Sequence, residues 1–205
     1  MASPLLKEYA ELGCPAVVGP AWPLNTSLAA IATGPYASIL TPESTNFFRQ
    51  EMLERAHLGF VIILLVDMAL LVFGDCIRTS CLASVYQANR KPRLICNSSA
   101  APDDVTPAVN ASTNKSTAPN TMQFGECLPW FLQNILEADP SDVLVWFSKW
   151  YIYNSVHWCL LRPGDIGAFT YVVPPLPTDI STLLCIYFVL PMGWVKSPGI
   201  FCEAS

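Results

Sequence analysis

Charge is scarce in this chain, and positive charge is the scarcer sign. Of 205 residues, 13% are Asp, Glu, Lys or Arg, against about a quarter in an ordinary soluble domain. Eleven basic side chains face sixteen acidic ones, for a net charge of −5. A protein that grips nucleic acid unaided neutralises phosphates with Lys and Arg, so this balance argues against strong independent binding to DNA or RNA. No Cys-x-x-Cys pair occurs, and the two histidines, His57 and His157, lie far apart; a zinc site is not expected. The eight cysteines are scattered, and Cys96, Cys159 and Cys185 stand inside apolar runs, where a thiol is usually a small buried hydrophobe. Reduced, structural cysteines are expected.

Long apolar runs are also missing. The N-terminus, Met1-Ala-Ser-Pro-Leu-Leu-Lys-Glu, has neither the basic start nor the unbroken apolar core of a secretory signal. The strongest hydrophobic stretch, Phe60 to Phe73, has 14 residues with Asp67 near its centre. A spanning helix needs about 20, and a central charge costs roughly 2.5–3.5 kcal/mol on insertion. Buried strands or a core helix are predicted there, with no stable membrane partner and an intracellular rather than secreted or membrane location.

What is present is apolar bulk and proline: 52% hydrophobic residues and 18 prolines. The length allows one sizeable core. Residues 13 to 42, rich in Gly, Pro, Ser and Thr, read mostly as loop. Thr41-Pro42-Glu43 is a helix start, with Thr as N-cap, Pro at the first helical position and an acid at the positive dipole end. That helix should run to about Leu58 and stop at Gly59, burying Phe48, Met52 and Ala56. From Asn97 to Thr121, fifteen of twenty-five residues are Asn, Ser, Thr or Pro, which predicts a long polar loop. Gln123 to Glu137 has a helical pattern ended by Asp139-Pro140. Val143 to Tyr153 reads as a strand, and Phe169–Val173 and Leu183–Leu190 as two more, joined through a Pro-rich turn at 174 to 180.

The most informative stretch is Leu190-Pro-Met-Gly-Trp-Val-Lys-Ser-Pro198. A strand ends at Pro191, a glycine turns the backbone beside Trp194, and Ser197-Pro198 opens a helix with Ser as its N-cap. This delivery of backbone N–H groups onto a fresh helix N-terminus suits an anionic ligand. The segment resembles the nucleotide-side turn of retroviral and LTR-retrotransposon reverse transcriptases, Leu-Pro-x-Gly-Trp-x-x-Ser-Pro. Four further blocks resemble the same family in the same order. Arg93-Leu-Ile-Cys-Asn97 is similar to the fingers strand, Gln123-Phe-Gly125 to the step that follows it, and Ser148 to His157 to the metal-binding strand. Gly167 to Val173 is similar to the first strand of the hairpin leading back to Leu190. Residues 11 to 60 resemble, more weakly, the lead-in that precedes the polymerase in some retroelements.

The resemblance implies an α+β fold. A lead-in at 1–87, loop-rich and holding the helix at about 41–58, would precede a truncated fingers and partial palm at 88–205, an incomplete antiparallel sheet with packed helices. It implies RNA-directed DNA polymerase ancestry, nucleic acid and dNTP as ancestral partners, weak or lost here, and Mg²⁺ as the ancestral cofactor. It also implies vestigial nucleotide-binding positions at Arg93, Gly193, Trp194, Ser197 and Pro198. Two-metal catalysis needs hard carboxylate oxygens. The family's first metal-binding Asp falls at Tyr151, whose phenol is neutral near pH 7, and Asn154 stands three positions on. Asp142, nine residues before Tyr151, would lie about 30 Å away along a strand. The paired Asp of the later hairpin would follow Ser205. No metal site, no cofactor and no catalysis are therefore expected of this pseudoenzyme, while unfinished sheet edges predict self-association.

Two other classes fit parts of the pattern. A single-pass membrane or secreted glycoprotein would use the Phe60–Phe73 run and the Asn-x-Ser triplets at Asn25, Asn97, Asn110 and Asn114. A non-catalytic module could retain the fold to bind nucleic acid or a protein.

Overall fold

The computed structural model describes residues 4–86, 91–113, 132–133, 135–137, 155–198 and 200. Five α-helices and five strands frame the core. Helix α1 spans Pro4–Leu12, α2 Leu24–Thr33, α3 Pro42–His57, α4 Val66–Phe73 and α5 Val109–Ser112. Strands β1 (Val61–Leu65), β2 (Thr79–Val85), β3 (Arg93–Asn97), β4 (Thr170–Val172) and β5 (Leu183–Tyr187) form one sheet in the order β1-β5-β4-β2-β3. Strands from both sides of position 87 thus share a single sheet, β2 pairing with β3 across it.

Helix α3 forms where its capping residues place it. The Thr41 hydroxyl accepts from the Ser44 amide, Pro42 occupies the first turn, and the chain leaves through Gly59 at φ 75°. Phe48 and Met52 are wholly buried and Ala56 packs beside them. The β4–β5 hairpin also forms, with Tyr171 opposite Cys185. Its Pro-rich turn is braced by Asp179, which accepts from the Leu176 amide at 2.8 Å and pairs with Arg49 of α3 at 2.7 Å.

The sheet is mixed, not antiparallel as expected. Thr79 and Ser80 of β2 run parallel to Thr170 and Tyr171 of β4. A parallel pair needs a long crossover, and the chain between β2 and β4 supplies one. Both faces of β5 are covered: Leu184 and Ile186 pack with Ile31, Ala69 and Ile77, while Cys185 and Tyr187 join the larger core containing Phe48, Leu82, Cys96 and Trp194. Double-sided burial explains why β5 reads as an unbroken apolar run.

Two local expectations change. Residues 13 to 42 also contain α2, ten residues that the loop reading leaves out; its Ser27 hydroxyl donates to the Ile77 carbonyl at 3.0 Å, and Ala30 and Ile31 are buried. The Phe60–Phe73 run is neither one strand nor one core helix. It breaks at Leu65 into β1 and α4. Asp67 marks that break: it sits exposed in the first turn of α4, where a carboxylate is favoured by the helix dipole. Only Ala69 of α4 is buried, while Leu71 is 79% exposed. Among the described residues no helix is long and apolar enough to cross a membrane. The predicted strand at 143–153, most of the helix at 123–137, and positions 151 and 154 lie outside the described residues.

Candidate functional site: the Gly193–Trp194 turn on strand β3

Beyond β5 the chain passes Leu190 and Pro191, both buried, and turns at Met192-Gly193. Gly193 has φ 120°, and a Cβ built there would come within 2.1 Å of the Cys96 carbonyl oxygen. The turn is therefore pressed against β3, and only glycine fits both the backbone conformation and the gap. Trp194 follows, 1% exposed, its ring centroid 5.1 Å from that of Phe169. Its indole N–H donates to the Thr113 hydroxyl at 2.9 Å, which satisfies the one polar atom of an otherwise apolar side chain.

Asn110, in α5, holds the turn from outside. Its Nδ2 donates to the Gly193 carbonyl at 2.9 Å and to Ser99 Oγ at 2.8 Å, and its Oδ1 accepts from the Val195 amide at 2.9 Å. One amide thus bridges both flanks of Trp194 and ties them to the segment after β3. That segment is irregular from Ser98 to Ala108, as its composition predicts, yet Ser98, Ala108, Val109 and Thr113 are buried. Asn110 and Thr113 went unseen in the sequence because a low-complexity polar stretch hides which of its many amides and hydroxyls meet a partner.

The five positions that the resemblance singles out separate into two groups. Gly193, Trp194, Ser197 and Pro198 are together in the turn. Ser197 and Pro198 are helical, but the Ser197 hydroxyl donates to the Pro191 carbonyl at 2.7 Å instead of capping the helix. Arg93 lies exposed at the opposite end of β3, opposite Val85. Three residues separate it from Cys96, a distance of about 10 Å along a strand. Arg93 and the turn therefore share a strand without touching.

Behind the turn lies a buried polar cluster. Tyr187 (1% exposed) receives a hydrogen bond from Arg55 Nη1 and a weaker one from the Cys96 thiol at 3.8 Å. The Tyr171 ring meets Tyr187 edge-on at 5.3 Å, and its hydroxyl lies 3.5 Å from Ser98 Oγ. Burial pushes both phenols and the Cys96 and Cys185 thiols upward, Arg55 opposing this at Tyr187, Cys96 and Cys185. These groups stay protonated near neutral pH, so they supply neither thiolate nucleophile nor phenolate base. His157 sits against Phe60, 2% exposed, with neither ring nitrogen hydrogen-bonded. Burial, and secondarily the Arg55 charge, lower its pKa from 6.5 to about 4. All six described cysteines are free. Among the described residues no cluster of three His, Cys, Asp or Glu could hold a metal.

No protein-family profile matches this chain, and no curated protein matches it in sequence.

Proposed function

We propose that the chain is a retroelement-derived, reverse-transcriptase-like fingers and partial palm that has lost polymerase activity. One observation carries the reading: Gly193 lies on the Cys96 carbonyl, so two blocks of the resemblance, almost a hundred residues apart in sequence, meet in one packed unit. The motif glycine and tryptophan are both needed for that contact, the first for clearance and the second as its buried anchor. The antiparallel β4–β5 hairpin leading into the turn supports the same reading. Loss of activity follows from chemistry. Tyr151 and Asn154 stand at the sequence positions where the family carries its metal-binding Asp residues, and neither offers the anionic oxygen that Mg²⁺ requires. Rate enhancements typically need about 8–23 kcal/mol of transition-state stabilisation, which a turn and one arginine do not supply.

Two measurements test the two halves separately. Primer extension with Mg²⁺ or Mn²⁺ is expected to give no template-dependent incorporation; incorporation by the purified chain overturns the loss of activity. Descent is tested in the genomic DNA following codon 205. An intact or decayed frame for Tyr or Phe, any residue, then Asp-Asp is expected there, and its absence from the intact locus overturns the descent.

A further inference from the structure

Arg78 is a buried cation. It lies just before β2, 6% exposed, its backbone N–H donating to the Gly167 carbonyl at 2.9 Å. A guanidinium has five N–H donors. Arg78 commits one of its nitrogens, Nη2, to the Gly19 carbonyl at 2.7 Å, while Nε is sealed from solvent with no partner. It forms no ion pair among the described residues. A charged side chain removed from water with most of its donors idle is costly, and the nearby Asp165 carboxylate offsets that cost only in part.

The same side chain lines an open cavity of about 390 Å³, bordered by the 16–19 segment, Ala21, Asp75 and Cys76, and the 164–168 loop. That volume is within the range of small-ligand sites. Its walls carry two further charges. Asp75 is exposed at the rim, and Asp165 is half-buried. Asp165 Oδ2 accepts from the Ala16 amide at 2.8 Å, which fixes the carboxylate and leaves its other oxygen unused. Ala16, Val18 and Ala168 make the remaining surface apolar. One guanidinium and two carboxylates give the cavity a net charge of −1 (+1 −2). A dianion such as phosphate meets one attraction and two repulsions there. A zwitterion meets an opposite charge at each end.

We propose that this cavity binds a small α-amino-acid-type zwitterion. Its carboxylate is held by the idle guanidinium donors of Arg78, its ammonium by the free oxygen of Asp165, and a short aliphatic side chain lies against Ala16, Val18 and Ala168. Fork geometry suits an arginine to a carboxylate, and each charged end of the ligand meets an opposite charge.

Calorimetric titration and thermal unfolding of the full chain test this with three probes of matched shape: L-valine, isobutylamine and isovalerate. L-valine is expected to bind and to raise the unfolding midpoint, with isobutylamine and isovalerate each at least tenfold weaker. Arg78→Met is expected to abolish the response. Because Arg78 also holds Gly19, Ala21→Phe provides a second variant that fills the cavity without touching that bond; it should lose L-valine binding while keeping the unbound unfolding midpoint. Asp165→Asn retains an acceptor for the Ala16 amide and should weaken L-valine at least tenfold without weakening isovalerate. Absence of L-valine binding at millimolar concentration, binding unchanged in Ala21→Phe, or equal binding of inorganic phosphate overturns the proposal.

Discussion

The Cys96 carbonyl oxygen occupies the space that a side chain at position 193 would need: a Cβ on Gly193 would stand 2.1 Å from it. Neither partner can yield easily. The carbonyl also accepts from the Ser98 amide at 3.1 Å, and Gly193 is held by Asn110. Gly193→Ala must therefore adopt a backbone conformation hostile to L-residues and separate the turn from β3. Strain of this kind costs about 1–3 kcal/mol, and displaced packing adds about 1–3 more. The expected loss, measured by urea unfolding, is about 2–6 kcal/mol. Gly34, at φ 68° and ψ −162° with open space around its missing side chain, is the control; Gly34→Ala should cost about 1–3 kcal/mol, the backbone term alone.

Asn110 provides the second test. It makes three hydrogen bonds to the turn and the post-β3 segment. Asn110→Ala removes all three and leaves the Gly193 carbonyl and Val195 amide to water, with an expected cost of about 1–2 kcal/mol. Asn110→Asp keeps the acceptor for Val195 and replaces both donors by an anion facing the Gly193 carbonyl; it should be no better than alanine. The bonded Nδ2 is also the atom to which a glycan would attach in the Asn110-Ala-Ser triplet. The folded chain expressed in a secretory host is expected to show no glycan at Asn110 by peptide mass analysis. The same holds for Asn97, whose Nδ2 donates to the Tyr36 hydroxyl at 3.0 Å.

What could be read from sequence tracks how local the determining interactions are. Helix α3 was legible because Thr41, Pro42 and the Phe48–Met52 spacing all act within the element. The β4–β5 hairpin was legible from β-branched and aromatic runs either side of prolines. Helix α2 was not, because its turn-forming composition is overruled by contacts elsewhere: Ser27 finds Ile77, and Ile31 packs beneath the sheet. The parallel step from β2 to β4 was illegible for the same reason, since nothing near Thr79 announces Thr170. At the turn, Gly193 and Trp194 were visible as a motif, whereas Asn110, Thr113 and Cys96, which hold them, are ordinary residues made special by position alone.

Among the described residues, thiol chemistry separates the buried cysteines from exposed Cys76. Cys96 and Cys185 are 5% and 0% exposed, with their pKa values raised chiefly by burial. Cys76 is exposed. Since thiolate and access together govern alkylation, a short pulse of iodoacetamide near neutral pH should label Cys76 and spare Cys96 and Cys185. Those two should react only after denaturant unfolds the chain, as read by peptide mapping.

Mild acid should loosen the fold through His157. The folded protein holds this imidazole neutral down to about pH 4, chiefly by burial and secondarily through Arg55, whereas the unfolded chain protonates it near its ordinary value of 6.5. Around it stand Arg55 from α3, Phe60 before β1 and Tyr187 from β5; none of these offers an anion to a protonated ring. With the folded pKa depressed, the stabilising contribution is complete above 6.5 and declines as pH falls towards 4. A shift of this size is worth about 3 kcal/mol over that interval. Urea unfolding at a series of pH values between these limits should show the decline, and His157→Phe, which keeps an aromatic ring against Phe60, should flatten it. Restricting the series to this interval keeps the carboxylates Asp103 and Asp179 ionised, because hydrogen bonds hold both below the usual range. An identical slope in His157→Phe would assign the acid sensitivity to another group.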